Sequence, residues 1–292
     1  MKLTKKEILN NVQELERKGD YHAHATPIDY SKMKKVDGKY KYINGNIFYK
    51  FAHYFVRGLM FVFRRPIAWL CASGKVEGRE NIKGVNNAVV VVNHVHPLDC
   101  VLCMNALNKR HLYVTIGDFN NFDNALGGLL RAWGVLPLVP RLDAQKNFWK
   151  ACSQLLNKKK TFVVVYPEAS LWLYYEKVRP FMNGAFHMAV KNNVPVVPMF
   201  ISFKKTGKFD KNGVEKRRAC VSILKPIYPR PELSEKENIN NLRETSYKMM
   251  AQKYEEVYGE KMVLPEPIKE DTEPNGNAEN VRSATKVTNI TN

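Results

Sequence analysis

The residues best suited to chemistry lie where a run of β-branched residues stops. Ala88-Val89-Val90-Val91-Val92 leads directly into Asn93-His94-Val95-His96-Pro97-Leu98-Asp99. On a continuous helix an imidazole and a carboxylate at this offset would be rotated by about 500°, or about 140° net. Pro97 breaks that continuity, because proline suits a first helical turn and restricts the residue before it. A strand end, a turn and a helix start can therefore bring His94 and Asp99 together. Asp99 would then accept a hydrogen bond from one ring nitrogen and support the imidazolium, while the other nitrogen removes a proton from a hydroxyl. That is a general base without a nucleophile of its own. Asp99 near a helix start could also serve only the exposed amides and the dipole.

A second segment, Tyr166-Pro167-Glu168-Ala169-Ser170, follows another β-branched run. This puts Glu168 and Ser170 at the carboxyl edge of a sheet, where open α/β sheets collect ligands. Downstream, Arg179 and the Asn183-Gly184 turn precede a helix, so a guanidinium and backbone amides could hold a phosphate there. The plainer role for Glu168 is to tie a loop to backbone amides. Arg131 and Arg141 flank a short apolar strand and could form a second anion clamp, although a single surface Arg is more often a solvated charge. His94 and His96 do not complete a metal-ligand set, so no metal is expected. Cys100 and Cys103 fall at helical spacing in an apolar stretch, as packed thiols do.

The elements that must position these residues are short. Strands are predicted at 88–92, 112–116, 135–139, 161–166, 194–203 and 219–224, with helices at 97–109, 125–132, 144–158 and 181–192. Such alternation implies an α/β fold with a mixed, largely parallel sheet flanked by helices. A final amphipathic helix falls within 231–258. Four divisions follow. Residues 1–45 read as a polar N-terminal extension with a peripheral helix, and 46–74 as a membrane-interacting amphipathic, aromatic helical hairpin. Residues 75–262 form the α/β domain, and 263–292 a disordered tail poor in large apolar residues. The 46–74 stretch mixes Phe, Tyr and Trp69 with Lys50, Arg57, Arg64, Arg65 and Pro66, a composition suited to the headgroup region of a bilayer.

Composition narrows the classes. The 292 residues carry 46 Lys+Arg against 28 Asp+Glu, a net charge of +18, so the surface attracts anions. Five scattered cysteines and no evident signal peptide argue against a disulfide scaffold and for a cytosol-facing location. No apolar run reaches the ~20 residues of a spanning helix, so peripheral or monotopic attachment is expected. A Gly-x-Ser-x-Gly elbow is absent, which disfavours a serine hydrolase. Nothing resembles a nucleic-acid-binding motif, and no nucleic-acid partner is expected.

Taken in order, NHVHPLD, GVLPLVPR, YPEAS and VPVVPM resemble the four blocks of the glycerophospholipid acyltransferase family, which includes lysophosphatidic acid and glycerol-3-phosphate acyltransferases. The resemblance covers roughly residues 75–225. It implies that His94 and Asp99 are the catalytic pair, with Asn93 beside them, and that Gly134 and Arg141 occupy the block whose Arg grips the acceptor phosphate. The third block usually reads Phe-Pro-Glu-Gly-Thr-Arg-Ser, so Ala169 here replaces Gly and the Arg is missing. Arg179, followed by Gly184, offers a cation in a shifted place. The resemblance further implies acyl transfer from acyl-CoA or acyl-carrier protein to a lysophospholipid hydroxyl at an anionic membrane surface, with no cofactor and no acyl-enzyme. The leading reading is a 1-acylglycerol-3-phosphate O-acyltransferase with His94 as base. Substrate contacts are expected from Asn93, Arg141, Glu168, Ser170, Arg179 and Gly184. The alternatives are another hydroxyl acceptor, such as glycerol-3-phosphate, another lysophospholipid or a lyso-aminolipid, or a non-catalytic basic module.

Overall fold

The computed structural model describes residues 3–72, 75–109, 111–139, 141–158 and 160–265. Two helices come first, α1 (Lys5–Lys18) and α2 (Ile47–Ala72). The elements β1 (Val76–Glu77), β2 (Ala88–Val92), α3 (Asp99–Leu107), β3 (His111–Gly117), α4 (Ala125–Trp133) and β4 (Val135–Leu138) follow. The chain continues through α5 (Leu142–Leu156), β5 (Thr161–Val165), α6 (Gly184–Lys191), β6 (Val196–Phe209), β7 (Glu215–Ile223) and α7 (Glu235–Tyr258). The seven strands form one sheet in the order β1-β7-β6-β2-β5-β3-β4, parallel except for the β6–β7 pair.

The unbroken Ala-Val-Val-Val-Val of β2 is explained by its central place. Ala88, Val90 and Val92 pack in one apolar layer with residues of α2, α3 and α4, while Val89 and Val91 join the opposite layer with Phe148, Phe186 and Leu242. A parallel strand covered on both faces has no polar side to present. Burying each valine contributes about 1.5 kcal/mol relative to exposure. The strand is thus a rigid base for the turn that begins at Asn93.

The expected hairpin at 46–74 is instead a single helix, α2, running through Pro66. Two of the charges that interrupt its apolar run, Arg57 and Arg64, are absorbed by the domain, while Lys50 and Arg65 stay exposed. Arg57 is buried, donating to the Trp133 carbonyl at 2.7 Å and the Leu112 carbonyl at 2.9 Å, with its guanidinium over the Tyr113 ring. Gly134 makes this possible: at φ +122° it lacks a Cβ that would fall 2.4 Å from Arg57 Nη1. Arg64 turns inward as well, bonding Asn108 and the Phe61 carbonyl. Pro66 lies on the exposed side of the helix. The missing amide therefore removes a hydrogen bond without disturbing the packed face.

The N-terminal extension is not peripheral along its length. α1 is closed by a Thr4/Glu7 capping box and a left-handed Gly19, and Val12 and Ala25 enter the same apolar layer as β2. Val36 packs with Val139 and Ala144. Of the expected tail, 266–292 lies outside the described residues.

Candidate active site

Where β2 ends, Asn93 is fully buried and exchanges two hydrogen bonds with the backbone of Ile201, at 2.9 and 2.8 Å. It staples β2 to β6 and lets the chain turn away from the sheet. Its side-chain amide, expected at the substrate, is engaged by the backbone of the protein itself. Beyond it, His94 Nδ1 lies 2.8 Å from Asp99 Oδ2, and the same oxygen accepts the amide N–H groups of Val95 and His96 at 2.9 and 3.1 Å. Asp99 is the first residue of α3 and buried, with Oδ1 unpartnered among the described residues. The turn predicted at Pro97 thus closes the pair.

Because Nδ1–H donates to a carboxylate, Nε2 is the nitrogen with a lone pair to offer. The His94 side chain is 23% exposed, against 1% for Asp99, so this edge can meet a substrate. The opposite face is covered by Tyr166, stacked at 3.9 Å between ring centroids. Burial pushes the Tyr166 phenol far up, so it presents a neutral ring. His96 points elsewhere: its Nδ1 accepts the Leu98 N–H at 3.1 Å, and burial lowers its pKa. Among the described residues no group of His, Cys, Asp and Glu could hold a metal ion. Burial, aided by the Asp99 charge, pushes the Cys100 thiol up to about 12.

The second expected cluster plays a different part. Glu168 and Arg179 are both fully buried, joined at 2.8 Å. The Glu168 carboxylate also accepts the His94 N–H at 3.1 Å and the Arg179 N–H at 2.9 Å. Arg179 gives its remaining terminal donors to the Ser170 hydroxyl, the Ser170 carbonyl and the Tyr21 carbonyl, and lies over Trp172. Glu168, Ser170 and Arg179 were expected to touch substrate. In the structure they form a buried network that fixes the backbone of His94, with the Arg179 charge paired to Glu168 because an unpaired charge at this depth would be too costly, and with Arg179 Nε alone left without a partner among the described residues. Ala169, between two members of the network, sits at φ +69°. That left-handed conformation is the physical reason for a Gly at this place in the family pattern.

The remaining two positions are open. Arg141 caps α5, is exposed and pairs with Asp143 at 2.9 Å. β4, which leads to it, lies three strand steps from β2, or about 14 Å across the sheet. Gly184 begins α6 with nothing within 4 Å of a Cβ position.

One wall of the site was missed. The segment after α1 crosses the 166–179 loop, held by Arg179 on the Tyr21 carbonyl and by the Trp172 indole on the Ala23 carbonyl at 2.9 Å. His22 Nδ1 stands 3.3 Å from the Glu168 carbonyl. His24 meets Phe119 edge to face at 5.2 Å. Burial lowers the pKa of His24, and the charges of His94 and Arg179 lower it further. The spacing of two histidines in a polar segment was the available signal, and it does not reveal a partner so distant in the chain.

The part of the chain that carries these residues is similar to known proteins. The family described as Acyltransferase matches residues 73–202. A chloroplastic 1-acyl-sn-glycerol-3-phosphate acyltransferase of Brassica napus, BAT2, is 32% identical over 161 residues, covering 52% of this chain and 44% of that protein. The Saccharomyces cerevisiae 1-acyl-sn-glycerol-3-phosphate acyltransferase is 28% identical, covering 52% of this chain and 51% of the relative. The chain thus spans about half the length of these two relatives. The Salmonella typhimurium 1-acyl-sn-glycerol-3-phosphate acyltransferase is 26% identical over 63% of this chain and 74% of its own. In fold, the chain is similar to the crystal structure of the lysophosphatidic acid acyltransferase PlsC from Thermotoga maritima. The TM-score is 0.54 at 23% identity, over 71% of this chain and 82% of that one.

Proposed function

We propose that this protein is a 1-acylglycerol-3-phosphate O-acyltransferase of the glycerophospholipid acyltransferase family, a reading supported by the match of residues 73–202 to the family described as Acyltransferase and by the similarity to 1-acyl-sn-glycerol-3-phosphate acyltransferases. The observation that carries the reading is the His94 Nδ1–Asp99 Oδ2 contact of 2.8 Å at a strand end, with the Nε2 edge accessible. Nε2 takes the proton of the acceptor hydroxyl as its oxygen attacks the thioester carbonyl. Asp99 stabilises the imidazolium that results. As the tetrahedral adduct collapses, the C–S bond breaks and the imidazolium returns its proton to the departing thiolate. General-base assistance of this kind contributes about 10²–10⁴ in rate.

Attachment to the cytosolic face of a membrane belongs to the same proposal. Among the described residues no helix is long and apolar enough to cross a bilayer. The outward face of α2 nevertheless exposes Phe48, Phe51, Phe55, Val62 and Trp69. A helix lying in the headgroup region with aromatic side chains toward the lipid suits a lipid acceptor and a net charge of +18.

A second acceptor, glycerol-3-phosphate or another lysolipid, is favoured by one observation. Arg179, the cation expected to replace the missing Arg, has all its terminal donors engaged within the protein. The test is thiol release from acyl-CoA and acyl-carrier protein across a panel of lysolipids and glycerol-3-phosphate in mixed micelles. Fastest turnover with 1-acylglycerol-3-phosphate supports the main reading. Fastest turnover with another acceptor replaces it, and no turnover with any acceptor removes the acyltransferase reading.

A further inference from the structure

A cleft of about 320 Å³ opens beside the edge strand β4, away from the His94 turn, with Lys39, Lys41, Arg131, Tyr40, Tyr42 and Tyr49 among its walls. The chain from residue 30 to 50 that forms much of it contains six lysines and one acidic residue, Asp37. Asp37 accepts the Lys39 amide at 2.9 Å. Lys34, also on the wall, is paired with Asp123 at 3.0 Å, whereas Lys39 and Lys41 are exposed and have no carboxylate partner among the described residues. The tyrosines are held as fixed walls: Tyr42 donates to the Pro137 carbonyl, Tyr49 to the Arg131 carbonyl, and Tyr40 meets Tyr42 edge to face at 4.9 Å. Arg131 is braced by Asn121 and the Phe122 carbonyl. A recess with aromatic sides and unspent ammonium groups suits a ligand that combines phosphates with a flat ring.

The sheet register locates the cleft. Val135, on its wall, aligns through Val114 and Val164 with Val90 on β2. His94 lies four residues beyond Val90, about 13 Å along the strand, and three strands across, about 14 Å, so the two places are about 20 Å apart. This separation excludes the acceptor's phosphate, because in 1-acylglycerol-3-phosphate the phosphate and the hydroxyl sit on neighbouring carbons. A phosphate in the cleft would leave that hydroxyl far from Nε2. In an acyl-CoA donor, by contrast, the long pantetheine arm separates the thioester from the adenosine bisphosphate.

We propose that the Lys39/Lys41/Arg131 cleft binds the adenosine 3′,5′-bisphosphate end of acyl-CoA while the thioester lies at His94. The proposal rests on the acyltransferase reading and selects the nucleotide-bearing thioester over acyl-carrier protein as donor. An acidic carrier protein would need a broad basic face, not a recess walled by tyrosines.

The test uses the full chain in mixed micelles, comparing wild type with Lys39→Ala/Lys41→Ala and checking both by thermal melting. Adenosine 3′,5′-bisphosphate is titrated calorimetrically, and KM is measured for acyl-CoA and for the matching S-acyl-pantetheine, which lacks the nucleotide. The wild type is expected to bind the bisphosphate. It should also show an acyl-CoA KM about tenfold below that of acyl-pantetheine, and the double variant should lose both advantages. Bisphosphate binding that is absent, or equal in the two proteins, overturns the proposal. So does a variant that loses affinity only for acyl-carrier protein or for anionic vesicles. Lys39/Lys41-dependent binding without turnover on any donor would retain the nucleotide site while refuting acyl transfer.

Discussion

His94–Asp99 and Glu168–Arg179 are two charge pairs at the carboxyl ends of the neighbouring strands β2 and β5, each closed at 2.8 Å. In the first, one oxygen of a buried carboxylate collects three N–H donors, and the imidazole keeps a nitrogen at the accessible edge. In the second, both partners are fully buried, and the Glu168 carboxylate and the terminal nitrogens of Arg179 are spent on each other, on loop backbone and on Ser170, while Arg179 Nε is buried without a partner among the described residues. Similar distances therefore describe opposite roles. A charged pair is available for chemistry when one partner retains an unsatisfied, accessible atom. A pair that satisfies itself at depth serves to hold the backbone.

The largest expected effect would test the first half of that contrast. His94→Ala should lower turnover about 10³-fold, about 4 kcal/mol of transition-state stabilisation. Asp99 keeps two amide donors, so the melting temperature should move by about 3 °C or less. Steady-state thiol release and calorimetry on the same sample check both, and a large drop in melting temperature would make the pair structural. The second half predicts the reverse for Arg179→Met, which strands the Glu168 charge. A stability loss of about 3–5 kcal/mol is expected, partly recovered in Glu168→Gln/Arg179→Met, as read by urea midpoints. A raised KM for the acceptor at unchanged stability would show that Arg179 is a substrate clamp after all.

Acidification gives a smaller, graded effect. Burial lowers the pKa of His53 to about 4, chiefly through lost solvation, and those of His24 and His96 move in the same direction. Between about pH 6.5 and 4 the unfolded chain binds more protons at these sites than the folded one, so stability falls as pH falls through that window. Melting temperatures from pH 7 to 4 should decline, and His53→Phe should flatten the curve. If His24→Asn flattens it too, protonation next to His94 contributes; if only His53→Phe does, the loss is confined to the α2 face. The smallest effect concerns the bend inside the buried pair. Ala169→Gly relieves a left-handed alanine worth about 1 kcal/mol, offset by glycine's added freedom when unfolded. A rise in urea midpoint of less than about 1 kcal/mol is expected. A clear loss would mean that the Ala169 methyl supports the Glu168 loop.

Much of the α/β core was legible. β2, β3 and β5 lie close to the predicted positions because short β-branched runs between turn residues have few other ways to be buried. β6 and β7 extend beyond theirs as a long antiparallel arm, where Lys204, Lys205, Arg217 and Arg218 pair across exposed strands. Such a polar sequence has no apolar alternation to announce it. The hairpin expectation failed because Arg57 and Arg64 looked like interruptions, while their partners, Leu112, Trp133 and Asn108, lie far along the chain. The His22 and His24 wall was hidden for the same reason.

What the sequence determined by itself was local: a buried central strand, a proline turn, and an imidazole and carboxylate with the means to meet across it. These follow from backbone periodicity and from residues a few positions apart. Only the tertiary structure decided which charges were left to act. Arg179 reaches the Tyr21 carbonyl across 158 positions of the chain, and Asn93 reaches Ile201 across 108. A buried polar atom must find a partner wherever the fold supplies one, so whether it remains free for a substrate is set by contacts that no local pattern contains.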